Sequence, residues 1–403
     1  MTAFDSSPTP NVRRALLALA VVFVLLATTG WTAVRHQRAP VDARATALAA
    51  WEEARIGHRT LPDPESSPGV LAGFFSSLGD GQAASLAERH PLVVGNLNGA
   101  PVTLRYRANR IALAEARQVE MRRMRDGRLS AEGRHEAGRR THRYESLLSP
   151  GRQILAFDPT GKGRIAEVFG DLDRAQRVSV VVPGVDTNVL TFERSKRKYS
   201  APVGMAQSLY RAERVAAPSV RTAVIAWADY VSPAGVGLDA STGRLAANGA
   251  SRLVALTGAL PGRAEVSLFC HSYGSVVCGV AARELPGRVS DMAVAGSPGM
   301  RAETAAQLGT DARVWAMRDS DDWIEDVPYL KVGGLGHGAD PMAPDFGARV
   351  LSAAGAVGHT GYFEPGTESL SNFAEIGVGS YGTVRCAGGD SACRSGIYGA
   401  EVI

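Results

Sequence analysis

The sequence predicts an α/β fold, an open, doubly wound, mostly parallel sheet preceded by a helical region and, at the N-terminus, a transmembrane helix. Three observations carry that expectation. From Gln153 onward, seven short apolar runs follow one another, each bounded by turn residues and separated by stretches that can hold helices. Ahead of them, residues 41–149 are dominated by Ala, Leu, Glu and Arg, a helix-forming composition. Ahead of those lies Ala15–Val34, twenty residues without a charge.

The N-terminal run follows Arg13 and Arg14 and is closed by Arg35, His36 and Arg38. At a rise of ~1.5 Å per residue it spans a hydrocarbon core of ~30 Å. A cleaved signal peptide needs a shorter apolar region and a small-x-small site, and only poor candidates such as Ala27-Thr28-Thr29 are present. The expectation is therefore a cytoplasmic segment over 1–14 and an uncleaved signal anchor over 15–34. This gives a single-pass protein of the cell membrane with its catalytic part outside the cytoplasm, secreted if the segment is instead cleaved. Basic residues flank both sides, so the positive-inside rule orients it only weakly.

Residues 41–149 read as a helical lead-in, broken at Pro62, Pro64, Pro68 and the Gly95-Asn96-Leu97-Asn98-Gly99 turn. The whole chain carries a formal charge of +4, too little to hold a polyanion, but the excess is local: Leu104 to Glu145 has twelve arginines against six acids. Such a stretch is a solvated helical face, or a surface that leans on an anionic membrane. No zinc-finger spacing, basic zipper or RNA-recognition signature is present, so nucleic acid is not an expected partner.

The apolar runs are Gln153–Phe157, Ile165–Phe169, Val178–Val182, Ala223–Trp227, Glu265–Phe269, Asp291–Ala295 and Val314–Met317. They place an α/β domain over 150–380 and a tail over 381–403. In open sheets of this kind, ligands bind beyond the carboxyl ends of the strands. In the tail, Cys386 and Cys393 bracket a Gly-rich loop that a disulfide can close, which fits an exported protein. Cys270 and Cys278 are either a second bridge or two buried small hydrophobes. No CxxC pair or HExxH helix exists, so neither a metal nor a cofactor is expected.

After Glu265–Phe269 comes Cys270-His271-Ser272-Tyr273-Gly274-Ser275 and then a small-residue helix pattern. Strand, sharp turn and helix are the setting of a nucleophile elbow, which exposes a serine hydroxyl above the sheet. The G-x-S-x-G pattern is met only at its second glycine, since Cys270 occupies the first. A serine needs an activating base and an acid that orients it, later in the chain. Of the two downstream histidines, His359 in Gly358-His359-Thr360-Gly361-Tyr362 suits the base, and His337 in a Gly-rich segment reads as structural or site-lining. The loop after Val314–Met317 offers Asp319, Asp321 and Asp322, with position favouring either of the last two. Oxyanion donors are expected at the Tyr273 amide and, in Val182-Pro183-Gly184-Val185-Asp186, at the Val185 or Asp186 amide.

Several blocks together resemble a bacterial α/β-hydrolase family of unknown function. They are Val181–Val185, His271–Ser275, Asp321–Ile324, Gly334–Pro341, Asp345–Arg349 and Gly358–Phe363. Val94–Pro101 and Arg107–Arg110 resemble the helical lead-in that often precedes that domain. The resemblance implies a sheet of the α/β-hydrolase type, with Ser272 as nucleophile, Asp322 as acid and His359 as base. It implies no substrate. The resulting expectation is a serine hydrolase of the esterase or lipase-like class, acting on a small-molecule or lipid-like ester and meeting the membrane through its N-terminal helix. The alternative is a catalytically silent copy of the fold serving as an envelope binding or scaffold protein, suggested by Cys270 and the basic lead-in.

Overall fold

Helices account for about two thirds of the first hundred described residues. The computed structural model describes residues 42–332 and 334–397. The expected anchor over 15–34 lies outside them, and among the described residues no helix is long and apolar enough to cross a membrane. The lead-in comprises α1 (Ala43–Glu53), α2 (Pro68–Ser76), α3 (Asp80–Arg89), α4 (Pro91–Val94), α5 (Val102–Met124) and α6 (Ala131–Leu147). Its one strand pairing is a short hairpin, Arg55–Ile56 against Arg59–Thr60. A small core of Trp51, Leu71, Phe75, Leu86 and Val93 holds the first four helices together, and the Trp51 indole donates to Pro62 O at 2.8 Å.

An eight-stranded sheet follows: β1 (Gln153–Asp158), β2 (Arg164–Gly170), β3 (Arg177–Val182), β4 (Thr222–Ala228), β5 (Glu265–His271), β6 (Val289–Ala295), β7 (Arg313–Met317) and β8 (Arg349–Val350). Spatial order is β1-β2-β4-β3-β5-β6-β7-β8. β2 runs antiparallel to both its neighbours, and β3 to β8 are mutually parallel. All seven apolar runs lie inside strands. The eighth strand is two residues long and has no run to betray it.

Helices α7 (Pro202–Ala216) and α11 (Glu368–Val378) cover one face, and α9 (Arg244–Ala259) with α10 (Gly274–Ala281) cover the other. The pleat divides β3 accordingly, with Val178, Val180 and Val182 in the α9/α10 core and Val181 in the α7/α11 core. Between α7 and α9 lies the single turn α8 (Leu238–Ser241).

The lead-in closes the β1 edge of the sheet, the edge opposite β7 and β8. An edge strand presents unpaired amides and carbonyls. Asn96 meets those of Phe157 on both sides, its Oδ1 accepting from the Phe157 amide at 3.1 Å and its Nδ2 donating to the carbonyl at 2.8 Å. The Asn109 amide donates to Ile154 O at 3.0 Å. The arginine-rich stretch is partly spent inside the fold: Arg140 is buried against Glu120 and donates to Pro159 O, and Arg143 pairs with Glu193 at 3.1 Å. At the other end of the chain a Cys386–Cys393 disulfide closes the tail loop, and Arg349 of β8 donates to Cys393 O at 2.7 Å.

Candidate active site

The order of strands creates the site. The chain passes from β3 to β4 on one side and returns to β5 on the other, so the loops after β3 and β5 diverge and leave a crevice at their carboxyl ends. Ser272 stands there, directly after β5, with φ +54°. A side chain in the left-handed region costs ~1–2 kcal/mol and persists only where the surroundings enforce it. Its amide donates to Ala295 O at 3.0 Å, and α10 starts two residues on. Glycines permit the crowding: a Cβ on Gly274 would lie 2.2 Å from Val182 O, and one on Gly184 would lie 2.7 Å from Ser272 Cβ. Cys270, in place of the first motif glycine, is fully buried and bonded to Cys278 of α10. The bridge draws its side chain into the helix, so the turn tolerates it.

Three side chains far apart in sequence converge at this edge. His359 follows β8 in the turn Gly358–Phe363, and Asp322 follows β7. His359 Nε2 lies 2.8 Å from Ser272 Oγ, and its Nδ1 lies 2.8 Å from Asp322 Oδ1. The carboxylate can only accept, so Nδ1 carries the proton and Nε2 is left to accept from the serine hydroxyl. Asp322 is buried, which by itself disfavours its charge. Hydrogen bonds from His359, from Tyr362 OH at 2.5 Å and from the Ile324 amide at 3.0 Å outweigh that cost and hold the carboxyl below its ordinary value. Burial and the neighbouring acid hold the Tyr362 phenol up, so it remains a donor.

The other two aspartates do different work. Asp319 Oδ2 accepts from the Gly358 amide at 2.7 Å and so fixes the loop that carries His359. Asp321 is exposed, with its amide turned to Asp319. His337 is buried with its ring 5.8 Å from that of Tyr273, and its Nε2 donates to Ala240 O of α8 at 2.7 Å. On the oxyanion side, the Asp186 amide is spent on Pro233 O at 2.8 Å. Among the described residues the amides of Val185 and Tyr273 have no protein acceptor. Tyr230 OH braces the Val185 loop by donating to Pro183 O at 2.6 Å.

Two neighbours of the centre escaped the sequence reading. His271 is buried, and its Nε2 lies 2.5 Å from the backbone carbonyl of His359. Burial first, and the adjoining His359 ring second, push its pKa down to about 3, so the ring is neutral and Nε2 donates. Its place beside Ser272 was the only available signal. Trp323, next to Asp322, lays its ring 4.7 Å from that of His359 while remaining 47% exposed.

Residues 158–332 match a family described as alpha/beta hydrolase. That stretch includes Ser272 and Asp322 and ends before His359. An uncharacterized protein of Mycobacterium tuberculosis is 26% identical over 384 residues, covering 79% of this chain and 57% of the relative. The chain thus spans a little over half the length of that relative. An uncharacterized protein of Mycobacterium bovis is 31% identical over 209 residues, covering 48% of this chain and 77% of its own. Among solved structures, a dienelactone hydrolase from Anabaena variabilis is 19% identical, covering 41% of this chain and 72% of its own with a TM-score of 0.29.

Proposed function

Because this chain belongs to the alpha/beta hydrolase family, we propose that it is a serine hydrolase that cleaves carboxylic esters at Ser272. The observation that carries the reading is the continuous relay from Ser272 Oγ through His359 to Asp322, with both links at 2.8 Å. In the first half-reaction Ser272 Oγ attacks the ester carbonyl carbon and its proton passes to His359 Nε2. Asp322 stabilises the imidazolium that forms. The carbonyl oxygen, now negative, accepts from the Val185 and Tyr273 amides, an arrangement whose single donors are worth ~3–4 kcal/mol in serine proteases. The C–O bond to the alcohol breaks as His359 returns the proton to the leaving oxygen. Water then repeats the cycle on the acyl-serine, releasing the carboxylic acid.

The silent-scaffold alternative took its motive from Cys270 and the basic lead-in; the bridge to Cys278 accounts for Cys270 without removing the serine from its turn, and Arg140 and Arg143 of the lead-in are paired within the fold. An extracytoplasmic setting belongs to the same proposal, supported by the pairing of all four cysteines in disulfides and by the apolar run Ala15–Val34. The test is labelling of the full chain with a fluorophosphonate probe. Wild type labels and Ser272→Ala does not; equal labelling of the two would overturn the assignment of the nucleophile.

A further inference from the structure

Exposed apolar side chains are concentrated at the edge where Ser272 opens. Of ten large hydrophobic residues that stand in solvent among the described residues, seven lie in the loops after β4, β7 and β8. They include Val236 and Leu238 after β4, Trp323, Leu330 and Leu335 after β7, and Val357 two residues before His359. Scattered exposed hydrophobics are ordinary, but a set gathered on one edge marks a surface that meets an apolar partner.

The loops that bear them are braced. The Gly235 amide donates to Asp186 Oδ1 at 2.9 Å, joining the β4 loop to the oxyanion loop. Leu335 pairs with Thr242 through a β-bridge, and Tyr273 OH donates to Thr242 O at 2.9 Å, joining the β7 loop to the residue that follows the nucleophile. Arg301 donates to the carbonyls of Gly334 and Gly336 at 3.2 and 2.6 Å. The apolar rim is therefore held in fixed relation to the serine, and Trp323 connects it to the imidazole.

We infer that this rim docks on a lipid surface, and that the ester cleaved at Ser272 is a long-chain acyl ester held in that surface. The inference rests on the ester-hydrolase reading above. Lipid is favoured as occupant because the sequence carries a bilayer-length apolar run ending at Val34, with eight residues between it and Ala43. Eight extended residues reach at most ~29 Å, so such an anchor would keep the catalytic unit beside the bilayer. Tryptophan at the mouth suits the boundary between headgroups and chains.

The experiment uses the full chain reconstituted in dioleoylphosphatidylcholine vesicles, so that every variant carries the same N-terminal run. Wild type is compared with the triple variant Val236→Ser, Leu238→Ser, Leu335→Ser on 4-methylumbelliferyl palmitate held in the vesicles and on dissolved 4-methylumbelliferyl butyrate. The expected result is a loss of about 10-fold or more on the vesicle-held ester, with the dissolved ester changed less than about 2-fold. Equal losses on both esters, no loss on either, or a dimer that the substitutions dissociate would each overturn it. A readout without turnover separates this inference from the catalytic one. Brominated phosphatidylcholine should quench the fluorescence component that Trp323→Phe removes, and absence of that quenching overturns the docking even if the ester chemistry stands. Conversely, quenching in a protein that cleaves neither ester would sink the hydrolase reading and leave the docking.

Discussion

Two buried carboxyls, toward opposite ends of the strands, have been driven to opposite charge states. Asp322, beyond the carboxyl ends of the strands, accepts from His359, Tyr362 and the Ile324 amide and is held below its ordinary value despite burial. Glu213 of α7 meets the Ser179 hydroxyl of β3 and lies beside the Thr222 hydroxyl and Arg177. There burial dominates and pushes the carboxyl up to about 8. The difference teaches that burial outweighs neighbouring hydroxyls and leaves an acid neutral. Burial with several donors keeps it charged, which is the state that can orient an imidazole and stabilise its protonated form.

The sharpest way to break this comparison is to remove the charge at Asp322. Asp322→Asn should lower kcat for a dissolved ester by about 10^4-fold, as loss of the orienting acid does in serine proteases. Asp319→Asn, which weakens the bonds its carboxylate accepts from the Gly358 and Asp321 amides, should cost less than about 10-fold. Equal losses in the two variants would mean that the turn, and not one carboxylate, carries the effect.

At the other end, the expected effect is on stability and has a defined sign. With its pKa raised from 4.5 to about 8 in the folded state, Glu213 contributes stability that is complete below the unfolded value and is lost as the pH climbs toward 8. Glu213→Gln should remove that slope. Its stability relative to wild type should therefore increase by about 3 kcal/mol between pH 5 and pH 8, read by urea denaturation at each pH. A gap that does not change with pH would show that Glu213 is charged in the fold.

A smaller effect is expected from His271, which acts through the backbone of the residue it holds. His271→Ala leaves the part-buried His359 carbonyl without its donor, a cost of ~1–3 kcal/mol. If that cost falls on the alignment of the imidazole, kcat drops about 10-fold to 100-fold while KM changes little, and His271→Gln recovers part of it. A lowered melting temperature with unchanged kcat would assign His271 to stability alone.

The fold was largely legible because buried strands write themselves as short, mainly apolar runs, and seven of the eight strands of the sheet do so. β8 did not, since Arg349–Val350 is held by its partner strand and by Cys393 and not by its own pattern. The elbow was legible for the same local reason: a strand, a small-residue turn and a helix are adjacent in sequence. The acid was not. Asp319, Asp321 and Asp322 share one turn, and their separation depends on which carboxylate faces a histidine 37 residues farther along the chain. The lead-in blocks were noticed as patterns, but their work, covering the free edge of β1 with Asn96 and Asn109, needed the partner strand to be visible.

Local order thus sufficed for the succession of strands and helices, the position of the serine and the Cys386–Cys393 pair, because each depends on neighbours within a few residues. The identity of the acid, the support of His359 by His271, and the gathering of scattered Val, Leu and Trp residues into one apolar rim required the folded sheet. Those properties are distances between loops, and such distances are set by the order in which the strands pair.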